Sequence, residues 1–78
     1  MNGSFETISP LSKREIEVLN WLKKGKSSWD IAIILNISER TVNFHVRNIM
    51  QKLNAVSRTQ AVAVAIENNL IHTRLTIS

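Results

Sequence analysis

Between Ser38 and Leu53 the chain reads SERTVNFHVRNIMQKL. At helical spacing, Val42, Val46, Ile49 and Leu53 recur as one apolar stripe. Arg40, Asn43, Phe44, Arg47, Asn48 and Gln51 share the opposite side. Those residue types suit base-edge chemistry: Asn pairs bidentately with adenine, and Arg with guanine. Asn is also a poor helix former, an odd choice at exposed positions where propensity should decide. Phe44 is apolar on the polar side, where it suits a thymine methyl or packing on the turn. The competing reading is an ordinary solvated face, but such a face usually carries Glu and Lys.

Phosphate chemistry is the second candidate. Lys23, Lys24 and Lys26 surround the end of an earlier segment, and Arg40, Arg47, Lys52 and Arg58 lie in or just after this one. Glu39 is the acid set against that second group. Ser27, Ser38 and Ser57 each open a helical pattern, where a hydroxyl and free backbone N–H groups suit phosphate as well as simple capping. The whole chain of 78 residues carries a formal net charge of +4 and has a sequence pI of about 10.2. That balance attracts polyanions.

Other chemistries find little to stand on. The chain has no Cys and two His, so a disulfide framework and a structural zinc site are both unexpected. His45 lies beside the apolar stripe and reads as a packed, hydrogen-bonded side chain rather than a ligand. His72 is uninformative. No Ser, His and acid set is recognisable, and Gly3 and Gly25 cannot build a phosphate loop. Neither catalysis nor a cofactor is expected. RNA binding would call for exposed aromatics, and the chain has two Trp and two Phe.

These residues must be positioned by helices. Ser12-Lys-Arg-Glu15 is a capping box, followed by Leu11, Glu15, Val18, Leu19 and Leu22 near one face, with Gly25 as the stop. A second, short helix is expected from Ser27, boxed by Asp30, to Asn36, with Ile31, Ala32, Ile34 and Leu35 as its apolar face. The third runs from Ser38 to about Leu53 or Asn54. The fourth starts at Ser57, with Gln60 in the box position. Its body, AVAVAI from Ala61 to Ile66, alternates like a strand, but the cap and the Ala content favour a helix. The fold expected is all-α: four helices, the second and third joined by the tight turn Asn36-Ile37-Ser38 as a helix-turn-helix.

Trp29 is expected to wedge between the first and third helices, and Trp21, off its apolar face, to be partly exposed. In the fourth helix, Val62, Ala65 and Ile66 should close the core, with Ala61 a further candidate for that face. Val64 then points outward near Gln60 and Glu67, and with Ala61 these residues suit a homodimer contact.

From Leu11 to Ile71 the chain resembles the LuxR-type helix-turn-helix domain of bacterial transcription regulators. The landmarks are Leu11-Ser-Lys-Arg-Glu15, Val18-Leu19, Gly25-Lys26, Ile31-Ala32, Ser38-Glu-Arg-Thr-Val-Asn-Phe-His45, Lys52-Leu53 and Ser57-Arg58. Ser28-Trp29-Asp30-Ile31 and Asn43-Phe44-His45 look most like the quorum-sensing branch, whose members bind acyl-homoserine lactones. The resemblance implies that the third helix enters the major groove of double-stranded DNA. Asn43 and Arg47 match base-contacting positions, with Phe44 and Asn48 beside them. Thr41 and Lys52 match backbone-contacting positions, and Ser27, Ser28 and Arg58 are further phosphate candidates. Many relatives carry a basic residue where this chain has Asn43.

The resemblance also implies an inverted-repeat site and dimers paired through the fourth helix, with pairing on DNA alone an open alternative. RNA polymerase is a further candidate partner. Residues 1–10 read as a linker or loose arm, 11–71 as the domain and 72–78 as a tail, and of the two readings this leaves, the C-terminal part of a larger regulator or a stand-alone domain, the first is favoured. No apolar run nears the roughly 20 residues of a membrane span, and no signal peptide is visible, so the cytoplasm is the default location. The alternative function is a helical protein-interaction module that acts through the fourth helix without DNA.

Overall fold

The computed structural model describes residues 10–72. Nearly all of the expected arm and of the expected tail lies outside them. Among the described residues there are four helices and no strand: α1 Lys13–Lys23, α2 Ser28–Leu35, α3 Glu39–Lys52 and α4 Arg58–Glu67. None is long and apolar enough to cross a membrane. The all-α expectation holds, and AVAVAI is helical.

Each helix opens in the same way. Ser12, Ser27, Ser38 and Ser57 are N-caps, each accepting from the backbone N–H three residues on. Around α1 and α2 the box is reciprocal, with Glu15 and Asp30 accepting from the cap backbone. The α4 expectation needs correction. The Gln60 side chain accepts from the Val56 N–H at 2.6 Å, tying down the loop one residue before the cap.

The helices also close in the same way. Gly25, Asn36, Asn54 and Asn69 have positive φ, from 55° to 84°. The next residue in each case donates back to the carbonyl five positions earlier: Lys26 to Trp21, Ile37 to Ala32, Ala55 to Met50 and Leu70 to Ala65. This is the Schellman closure, and it needs a residue that tolerates the left-handed region. Gly and Asn are the two types that do so readily.

α3 packs against α1, α2 and α4, and α1 also packs against α4. The core is filled by Val18 and Leu19 of α1, Ile31 and Ala32 of α2, Val42, Val46 and Ile49 of α3, Leu53, Ala61 and Ala65 of α4, and Ile71. The stripe expected on α3 is the buried one. Trp29 is not in the core: it is 61% exposed, as is Ile33 at 60%. The two are one turn apart, on the side of α2 away from Ile31, and with Asn36, Ile37 and Glu39 they line a shallow surface pocket. Ile34, expected on the apolar face, is 42% exposed. Trp21 is half-buried, with the Lys24 ammonium 5.0 Å from its ring centroid.

One buried charge ties the start of α1 to the end of α3. Glu15 is 4% exposed. Its carboxylate receives the Lys52 ammonium at 2.9 and 3.2 Å and the Ser12 N–H at 2.8 Å. Burial alone would raise the Glu15 pKa. The bonds from Lys52 and Ser12 outweigh it and hold the carboxyl below its ordinary value. Lys52 also donates to the Pro10 carbonyl at 3.2 Å. An ammonium has three protons, and each has an acceptor inside the fold. Expected to contact the DNA backbone, Lys52 is here a strut between α3 and the start of α1.

Candidate nucleic-acid interface

With Val42, Val46 and Ile49 turned inward, α3 presents its opposite side to solvent. Arg40, Arg47 and Gln51 are exposed there, and Phe44 is 52% exposed. Glu39, Arg40, Asn43, Phe44 and Arg47 line one shallow concavity over the N-terminal half of the helix. Four of the residues expected to touch bases or phosphates thus share one surface. Glu39, which sequence reasoning treated only as an opposing charge, lies in it as well. A carboxylate there can accept from a cytosine amino group, and its position just inside the Ser38 cap is the signal that places it.

Asn43 is half-buried at one edge of that surface. The Ser28 hydroxyl donates to Asn43 Oδ1 at 2.7 Å. Arg58 Nη2 donates to Ser28 Oγ at 2.7 Å and to Asn43 Oδ1 at 3.2 Å. Residues from the starts of α2 and α4 therefore grip a side chain of α3. Ser28 is 6% exposed, so its role is to hold Asn43; the expectation of a phosphate contact from its side chain is corrected. Arg58 is exposed overall but turns one guanidinium nitrogen inward. Sequence reasoning named all three residues without seeing that they meet. The capping pattern places each one, but not the angle between α2, α3 and α4.

The remaining expected residues scatter. Asn48 is half-buried and lies about 140° around α3 from Asn43 at 100° per residue, so these two do not form one reading edge. Thr41 is half-buried and its Oγ1 lies 2.8 Å from Ser38 Oγ, at the exposed mouth of the helix. Ser27 is exposed at the start of α2 and keeps its cap role. His45 is half-buried, and its ring meets that of Phe44 edge-on at 5.8 Å between centroids. That contact holds Phe44 over the helix.

The α4 side chains divide differently from expectation. Ala61 is fully buried, beside Ala65, so it cannot lie in a dimer contact. Val64 is half-buried and borders the core. Gln60, Ala63 and Glu67 are exposed. With Val64 they recur at three- and four-residue spacing, a stripe facing away from the domain.

Comparison with known proteins agrees with this geometry. Residues 9–65 match the family model described as bacterial regulatory proteins, luxR family. The transcriptional activator protein SolR of Ralstonia solanacearum is 52% identical over 66 residues, which is 85% of this chain and 28% of SolR. The HTH-type quorum-sensing regulator RhlR of Pseudomonas aeruginosa is 56% identical over 61 residues, covering 78% of this chain and 25% of RhlR. The chain thus spans about a quarter of the length of these curated relatives. Among solved structures, the transcription factor GerE superposes with a TM-score of 0.74 at 39% identity, over 78% of this chain and 91% of GerE. These relatives are regulators of transcription, not enzymes. The chain belongs to the luxR family of bacterial regulatory proteins, and its four helices have the fold of the transcription factor GerE.

Proposed function

We propose that this domain binds double-stranded DNA sequence-specifically, by laying α3 in the major groove, as part of a transcription regulator of the quorum-sensing type. The observation that carries the reading is the exposed face of α3, where Arg40, Asn43, Phe44 and Arg47 line one concavity. Arg47 reads a guanine edge there, and Phe44 gives apolar contact beside it. Arg40, Thr41 and the α2 and α3 N-termini at Ser27 and Ser38 meet phosphates. The quorum-sensing assignment rests on similarity to RhlR.

Two copies bind an inverted repeat, with half-site centres about 10 bp apart. They pair through α4, using Gln60, Ala63, Val64 and Glu67. The chain has no Cys, so a Glu67→Cys variant tests the pairing directly. Its disulfide should form on a duplex carrying the repeat and not on a half-site, whereas no crosslink on either would reject the α4 pairing. RNA polymerase is the protein partner proposed for the bound regulator.

The experiment that tests DNA reading is fluorescence anisotropy at two salt concentrations. It compares a duplex carrying a selected inverted repeat with a scrambled one. A large preference for the repeat, with affinity falling steeply as salt rises, supports the reading. Equal weak binding to both would reduce α3 to a source of charge. Salt-independent indifference to DNA would leave the domain a protein-docking module.

A further inference from the structure

The grip on Asn43 has a direction, and the direction decides what Asn43 can read. A guanidinium donates and cannot accept. The Asn43 atom that faces Arg58 at 3.2 Å must therefore be the amide oxygen. Ser28 Oγ accepts from Arg58 at 2.7 Å, and it sends its own proton on to the same oxygen at 2.7 Å. The chain of donors runs one way, from Arg58 through Ser28 to Asn43 Oδ1. No rotation of the amide reverses it without setting an NH₂ against a guanidinium N–H. Oδ1 thus spends two acceptor positions inside the protein. The Nδ2 amino group is what remains for the concavity lined by Arg40, Phe44 and Arg47. A cation beside the oxygen also polarises the amide and strengthens Nδ2 as a donor.

We infer that Asn43 reads bases as a donor only, selecting an acceptor edge in the major groove, guanine O6 and N7 or thymine O4, rather than pairing bidentately with adenine. The inference rests on the proposed placement of α3 in the major groove. It reverses what an unattached Asn would do, because the bidentate adenine contact needs the amide oxygen to accept from N6. Ser28 and Arg58 become specificity-determining positioning residues that touch no base themselves.

The test is a panel of duplexes based on a selected inverted repeat, each varied at one base pair of the half-site, with binding measured for the wild type, Asn43→Ala, Arg47→Ala and Ser28→Ala/Arg58→Met. Comparing wild type with Asn43→Ala identifies the base pair that Asn43 reads. At that pair the wild type should prefer guanine or thymine over adenine and cytosine by about 5-fold or more, the lower end of what a bidentate base contact gives. Replacing a preferred guanine by 7-deazaguanine, or a preferred thymine by 4-thiothymine, should weaken the wild type and leave Asn43→Ala unaffected. In the Ser28→Ala/Arg58→Met variant the freed oxygen should shift the preference toward adenine. Circular dichroism establishes that this variant is folded; if it is not, the deaza and thio substitutions decide the matter on the wild type alone.

A wild-type preference for adenine, lost when purine replaces it and the N6 amino group is gone, would overturn the inference. So would an Asn43→Ala variant whose preferences match the wild type at every position. In that second case Arg47→Ala still reports on the broader reading: relaxed specificity there keeps α3 in the groove, whereas no discrimination by any variant, the wild type included, would sink both.

Discussion

Arg47 and Lys52 are both cations on α3, and their surroundings assign them opposite work. Arg47 is exposed over the concavity. Arg47→Ala is expected to cost about 1–3 kcal/mol in binding and to relax specificity at one base pair, measured by anisotropy on single-base variants of the site. Lys52 is turned onto Glu15, which is 4% exposed. Lys52→Met should leave the salt dependence of binding unchanged and destabilise the fold by about 2–4 kcal/mol in urea denaturation. That range is somewhat below a fully enclosed pair because Lys52 keeps some contact with water. The same pair sets the acid limb of stability. Since the folded Glu15 pKa is depressed, the unfolded chain takes up the proton more readily. The stabilisation is present above the unfolded value of about 4.3 and is lost as pH falls through the lower folded value. Denaturation midpoints from about pH 7 to about pH 3 should fall in the wild type and flatten in Glu15→Gln. From sequence, Lys52 could not be told from a phosphate ligand. The charge was legible, but a carboxylate 37 positions away in the chain was not recognisable as its partner.

At the scale of the element, most of the fold was legible because the signals are local. Ser at each start and Gly25 or Asn36 at a stop are read within one turn of chain. Asn54 and Asn69 carry the same signal, and a consistent reading of the ends would have placed them too. Trp29 was misplaced for a different reason. A helix as short as α2 turns few residues inward, and its outward side is set by how it crosses α3, which no local pattern encodes. The left-handed stops give a direct prediction. Asn54→Val should destabilise by about 1–2 kcal/mol, because a β-branched residue resists φ of 55°. Asn54→Gly should be close to neutral in the same thermal melt. Ser38→Ala should cost about 1 kcal/mol, as for other lost caps.

For the whole molecule, the margin is thin. A chain of 78 residues at about 0.05–0.15 kcal/mol per residue has only a few to about 12 kcal/mol of stability. Ile31 and Ile49 are fully buried where α2 and α3 meet the rest. Either one changed to Ala should remove about 2–5 kcal/mol, enough to unfold a large share of the molecules at the lower end of that margin; calorimetry would show it. The repeated Schellman closures have a kinetic consequence. Each helix holds its own start and stop, so the chain needs few distant pairings before its parts resemble their final form. A domain built this way should fold from denaturant in a single phase lasting microseconds to milliseconds. Most of the wait should fall on the steps that local signals cannot supply: the crossing of the helices over one another and, with it, the meeting of Glu15 with Lys52.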